Sequence, residues 1–140
     1  MTVYADTSAI VKLYVAEEGS ERVRSRLAGA AALFTCRLAY VEARAALAAA
    51  RRLERLDEPG YARAVSAFER DWKRYHVIEV TPSLIEMAGG LAERHALRGY
   101  DAVHLAAALA LNDRLAADGG LIAFDAELAR AAASVGLRVL

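Results

Sequence analysis

The stretch Val3-Tyr4-Ala5-Asp6-Thr7-Ser8-Ala9-Ile10-Val11-Lys12-Leu13-Tyr14 (residues 3–14) sets the pattern of the whole chain. Three apolar residues end on an acid, and two small hydroxyl residues follow, either of which, Thr7 or Ser8, can cap a helix. Ile10, Val11, Leu13 and Tyr14 then recur at helical spacing. A short strand therefore feeds a helix, and the alternation continues outward. Ser20 is placed to cap a second helix through Arg26, Leu33-Phe34-Thr35 reads as a second strand, and Leu38 to about Leu56 has the length and Ala/Arg content of a long helix. Asp57-Glu58-Pro59 opens an amphipathic helix containing Val65, Phe68 and Trp72, with proline tolerated in its first turn, so that the two helices form a hairpin. Val77 to Val80 is a third strand, and Thr81-Pro82 opens another helix. Gly99 punctuates the chain before a helical stretch from Asp101 to Leu115. Leu121 to Phe124 is a fourth strand ending at Asp125, a last helix runs to a stop at Gly136, and Arg138 to Leu140 is a short terminal strand.

Strands separated by helices imply right-handed crossovers and a mostly parallel sheet, here of about five short strands, flanked by helices on both faces. No repeat, low-complexity tract or linker interrupts the chain, so residues 1–140 read as one α/β domain. A domain of this size buries well over half of its unfolded surface. Charged residues break every stretch long enough to cross a bilayer, and Asp6 stands where a secretory leader needs basic residues and an apolar core. A cytoplasmic protein is expected. Cys36 is the only cysteine, which excludes an internal disulfide and a thiolate zinc site and leaves it a small buried hydrophobe. Basic and acidic residues balance at 18 each, so any contact with nucleic acid is local rather than driven by bulk charge.

The acids carry the chemistry. Ligands of open parallel sheets bind beyond the carboxyl ends of the strands, where both Asp6 and Asp125 are expected to fall. Asp101 opens a helix, a position that helix capping explains as well as function does. Glu42 shares a helical stripe with Leu38, Ala45, Ala46 and Ala49, the stripe expected to face inward, and a buried glutamate needs a partner. One reading is an ion pair with an arginine of another helix, Arg44 being offset; the other is a functional site. Four acids converging without matching basic residues repel one another unless a cation neutralises them, and hard oxygen donors suit Mg²⁺ or Mn²⁺. Such a site favours phosphodiester hydrolysis. Ser8 is placed to bond the Asp6 carboxylate, a water or a phosphate, or simply to cap the helix.

At these residues the sequence resembles the PIN domain, in particular the VapC-type toxins of bacterial toxin–antitoxin pairs. The resemblance rests on Tyr4 to Tyr14 (YADTSAIVKLY), Thr35 to Leu47 (TCRLAYVEARAAL), Leu97 to Leu109 (LRGYDAVHLAAAL) and Ile122 to Ala132 (IAFDAELARAA), in the family's order and over nearly the whole chain. It implies an acidic triad of Asp6, Glu42 and Asp101 with Asp125 as fourth acid, and Ser8 as the hydroxyl beside the first. It also implies Mg²⁺- or Mn²⁺-dependent endonucleolytic cleavage of RNA, a homodimer, and a small cognate antitoxin as inhibitor. Cys36 departs mildly from the family, where serine is frequent. Asp118 competes for the fourth acidic place, but Asp118-Gly119-Gly120 has the composition of an exposed turn.

Lys12 and Arg98, each expected near an acid, are candidates for contacting substrate, with solvated surface charge as the alternative. His104, one helical turn after Asp101, reads first as a hydrogen-bonded structural histidine and second as a positioning or proton-carrying group. His76 and His95 read as surface residues, the Arg51-Arg52-Arg55 cluster as the basic end of a helix, and the tyrosines as core. A phosphatase-type hydrolase with Asp6 as nucleophile wants an Asp where this chain has Ser8. A receiver domain wants paired early acids and a late lysine, absent between Leu121 and Gly136. An RNA-binding or protein-interaction module on the same scaffold, without catalysis, is the remaining alternative.

Overall fold

A computed structural model describes residues 1–140. The strands β1 (Thr2–Ala5), β2 (Ala32–Cys36), β3 (His76–Ile78) and β4 (Gly120–Ile122) form one sheet in the order β3-β2-β1-β4. Every pairing is parallel, with Val3 opposite Leu33 and Gly120, and Phe34 opposite His76. The order reverses beside β1, whose neighbours come from opposite ends of the chain. This is the crevice that binds ligands in open α/β sheets.

The helices are α1 (Thr7–Val11), α2 (Ser20–Ala28), α3 (Leu38–Arg52), α4 (Glu58–Trp72), α5 (Pro82–His95), α6 (Gly99–Leu109), α7 (Asn112–Asp118) and α8 (Ala126–Ser134). Alternation along the strands divides the core in two. Tyr4, Phe34, Cys36 and Leu121 pack with residues of α5, α6 and α8, whereas Val3, Ala5 and Ile122 pack with α1, α3 and α4 around Leu47 and Phe68. The result is helices on both faces of a parallel sheet, as the sequence implies. The only buried side-chain polar atom without a partner is Thr35 Oγ1, and nothing in the structure explains it.

Local details differ from the sequence reading. Neither Thr7 nor Ser8 caps α1: Asp6 does, its carboxylate accepting from the Ala9 amide at 3.0 Å. Gly19, with φ +90°, precedes α2, while Ser20 instead donates to the Val15 carbonyl. The stretch expected as one helix from Asp101 to Leu115 breaks at Ala110-Leu111, where a short turn starts α7. The buried face of α3 carries Ala39, Ala43, Leu47 and Ala50, which rotates Glu42 to its edge. The terminal segment contributes a single bridge, Val139 to Leu121, rather than a full strand.

Candidate active site

Asp6 follows β1 directly, tied to β4 through its amide on the Ile122 carbonyl at 3.2 Å. The carboxylate is buried, and its Oδ1 accepts from Ala9 N at 3.0 Å and from Ser8 Oγ at 2.7 Å. Ser8 Oγ accepts in turn from the Phe124 amide at 3.1 Å, so one hydroxyl joins the first acid to the segment that leads to Asp125. Oδ2 of Asp6 makes no hydrogen bond. Burial raises the Asp6 carboxyl above its ordinary value and Asp101 adds to the shift; Ser8, His104 and Ala9 oppose it without reversing it. A cation would relieve that charge.

Asp125 stands beyond the end of β4, not at its last position: β4 stops at Ile122, and Asp125 caps α8 by accepting from Leu128 N at 2.9 Å. Both acids still share the carboxyl rim of the sheet. Asp101 lies in the first turn of α6, preceded by Arg98 at the cap position. The Arg98 fork spans the two acids, Nε to Asp101 Oδ2 at 3.1 Å and an Nη to Asp125 Oδ2 at 2.9 Å. The expectation that the acids converge without basic partners is therefore corrected, since Arg98 and His104 both stand among them.

Glu42 reaches the rim from the edge of α3, and its partner is no arginine. His104 Nε2 lies 2.8 Å from Glu42 Oε1, and Thr7 Oγ1 donates to the same oxygen at 2.7 Å. These groups outweigh burial and hold the Glu42 carboxyl below its usual range. His104 is 2% exposed. Burial disfavours its charge, but Cys36 and Glu42 raise it to about 10. Arg44 pairs with Glu69 instead. Lys12 pairs with Glu17 at 2.9 Å and lies over the Phe124 ring. Asp118 is engaged elsewhere, with the amino group of Met1 and the Thr2 amide.

Three carboxylates thus have one oxygen without a hydrogen bond, Asp6 Oδ2, Glu42 Oε2 and Asp101 Oδ1; the other oxygen is held by neighbouring elements in Asp6 and Glu42 and by Arg98 in Asp101. Asp125 has both oxygens engaged. No three acidic, histidine or cysteine side chains already surround one point at ligand distance. The unshared oxygens are nonetheless hard donors of the kind divalent cations take, and the Arg98 side chain that bridges Asp101 and Asp125 is largely exposed. By the chemistry of its donors the set suits a divalent cation. Sequence reasoning missed Tyr4, whose hydroxyl lies 2.8 Å from His104 Nδ1, and Thr7; neither carries a recognisable spacing signal.

A parallel sheet with acids gathered at its switch point defines a class, and the family model described as PIN domain matches residues 3–134, so the chain belongs to the PIN-domain family. Within it the chain groups with the VapC ribonucleases. Ribonuclease VapC45 of Mycobacterium tuberculosis (strain CDC 1551 / Oshkosh) is 48% identical over 111 residues, covering 79% of this chain and 77% of the relative. The crystal structure of Mycobacterium tuberculosis VapC20, a sarcin-ricin loop cleaving toxin, superposes with a TM-score of 0.67 at 19% identity, covering 97% of this chain and 96% of that one. A chain of a toxin–antitoxin complex from Klebsiella pneumoniae superposes with a TM-score of 0.56 at 16% identity, over 86% of this chain and 84% of the other. At these identities the two structures speak for the fold alone.

Proposed function

We propose that the protein is the ribonuclease toxin of a toxin–antitoxin pair, an endonuclease that hydrolyses RNA phosphodiester bonds with Mg²⁺ or Mn²⁺. The observation that carries the reading is the trio of unshared oxygens on Asp6, Glu42 and Asp101, set at the switch point of a chain 48% identical to a VapC ribonuclease. These three would hold the cation, with Asp125 as a fourth acid once Arg98 withdraws. The bound ion would supply a water of lowered pKa and offset charge developing on the phosphate. Ser8 keeps the Asp6 carboxylate in register with the Asp125 segment. Arg98, exposed and anchored at one end of the acidic row, suits capture of a substrate phosphate. Lys12, committed to Glu17, suits a positioning role in the hollow it lines with Thr7 and Ser8.

A cognate small antitoxin is the inhibitor expected of this class. A homodimer is supported by the exposed Ile85 and Met87 of α5 and Tyr100 of α6; Ile85 and Tyr100 line an apolar depression of about 500 Å³ beside Arg98. No helix is long and apolar enough to cross a membrane.

The test uses end-labelled single-stranded RNA with purified protein. Cleavage needs Mg²⁺ or Mn²⁺, stops with EDTA and returns on adding Mn²⁺. Asp6→Asn and Asp101→Asn abolish it while the circular dichroism spectrum is unchanged, because asparagine at position 6 still caps α1 and Asp101 caps no helix. Full activity in both variants refutes the assignment. Induced expression should arrest bacterial growth, and co-expression of an adjacent small reading frame should restore it.

A further inference from the structure

Below the rim, a buried polar chain runs away from Glu42 into the apolar core. Tyr4 is fully buried on β1 and His104 is 2% exposed on α6, both surrounded by alanines and leucines. Polar groups in such a place are costly unless every one is paired. Here they are: the Tyr4 hydroxyl meets His104 Nδ1 at 2.8 Å, and Nε2 meets Glu42 Oε1 at 2.8 Å and Thr7 Oγ1 at 3.1 Å. The Tyr4 and His104 rings also meet edge to face, with centroids 6.0 Å apart.

We propose that Tyr4 and His104 are positioning residues for the RNA-cleaving site, a relay that fixes Glu42 through one oxygen and leaves the other for the cation. The proposal rests on the reading of Glu42 as a metal ligand given above. Packing alone would be served as well by phenylalanine and leucine, since apolar groups of like volume replace buried polar ones at little cost. What the hydroxyl and imidazole add is direction. A hydroxyl donating to Nδ1 keeps the proton of a neutral ring on Nε2, facing Glu42; in a charged ring both nitrogens donate and Nε2–H faces Glu42 still. Without Tyr4 Oη, the only other group near Nδ1 is the Cys36 sulfur at 3.7 Å, so the ring loses what sets its plane and tautomer. Thr7 closes the arrangement from α1, giving Oε1 two donors from two elements. Groups of this kind behind a ligating carboxylate typically govern metal affinity by 10- to 100-fold.

Mn²⁺ alone is the probe, titrated into the full chain with free ion followed by electron paramagnetic resonance, beside thermal melts and RNA cleavage. Tyr4→Phe should weaken Mn²⁺ binding about 10-fold and His104→Leu about 100-fold. In both, kcat falls while KM for RNA stays. His104→Gln, which restores an N–H donor toward Glu42, should recover part of the loss. Lower melting temperatures with Mn²⁺ affinity within twofold of wild type would reduce the pair to a structural role and overturn the proposal. If His104→Leu does not fold, Tyr4→Phe and His104→Gln decide by the same measure. Glu42→Gln separates the two failures. Lost binding in Glu42→Gln with normal binding in Tyr4→Phe sinks the relay and spares Glu42, whereas normal binding in Glu42→Gln sinks both.

Discussion

Replacing Gly119 with alanine should wedge apart β1 and β4, the strands that lead to Asp6 and Asp125. A Cβ built at Gly119 lies 1.7 Å from the Thr2 carbonyl oxygen, 2.7 Å from its carbon and 3.2 Å from its Cα. The first distance is half of an ordinary contact, and the obstacle is backbone that belongs to β1, so no rotamer change relieves it. The pairs Val3–Gly120, Tyr4–Leu121 and Ala5–Ile122 lie immediately beyond and must separate or slip. Overpacking costs about 1–3 kcal/mol when side chains yield, and a rigid carbonyl places this case at about 3 kcal/mol or more. For a domain of this size the melting temperature should fall by about 10 °C. RNA cleavage should fall with it, because Asp6 is tied to the Ile122 carbonyl and Ser8 to the Phe124 amide. Gly89→Ala is the control: nothing lies within 4 Å of its added Cβ, and alanine inside α5 should stabilise by about 0.5–1 kcal/mol. The assay is thermal unfolding followed by circular dichroism. A Gly119→Ala melting temperature within about 2 °C of wild type would refute the steric argument.

Arg98→Gln removes the guanidinium that bridges Asp101 and Asp125, so Mn²⁺ should bind severalfold more tightly while KM for RNA rises; weaker Mn²⁺ binding would contradict the picture of a resident competing cation. Glu17 offers a pH test: burial pushes its carboxyl up, but Lys12 and Arg55 outweigh burial and hold it below 4.5. A depressed folded value means stability that is complete above the unfolded value and lost as pH falls through the folded one. Glu17→Gln should therefore cost roughly 1 kcal/mol at pH 7, with the difference from wild type closing as the pH drops below 4.5; a constant difference down to pH 2 would exclude the ion pairs as its cause.

The parts of the architecture written locally were legible. Asp57 and Thr81 cap α4 and α5 as their sequences suggest, each accepting from the amide three residues on. The strand-to-helix step at Asp6 is equally plain. What escaped depends on contacts between distant residues. Arg98 lies three residues before Asp101, but its second acid is 27 residues away. Glu42 finds His104 across 62 residues, and no helical periodicity names that partner. The break between α6 and α7 has neither glycine nor proline to announce it. Asp118 is exposed, but Asp118-Gly119-Gly120 is no exposed turn: Asp118 ends α7, Gly119 and Gly120 are buried with Gly120 opening β4, and the partner of Asp118 is the amino group of Met1. Of the four acids, strand-end position points to Asp6 and, less closely, Asp125, and an inward helical stripe to Glu42, which the structure moves to the edge of α3; Asp101 rests mainly on the family resemblance.

The order β3-β2-β1-β4 also bears on synthesis. The strand made first sits between a neighbour made soon after it and one separated from it by most of the chain. A nascent chain emerging at roughly 5–20 residues per second can pair β1 with β2 early, but Asp101, Asp125 and the Ile122 carbonyl that holds Asp6 follow only after the intervening helices have been made. Half-made copies therefore lack an assembled acidic rim.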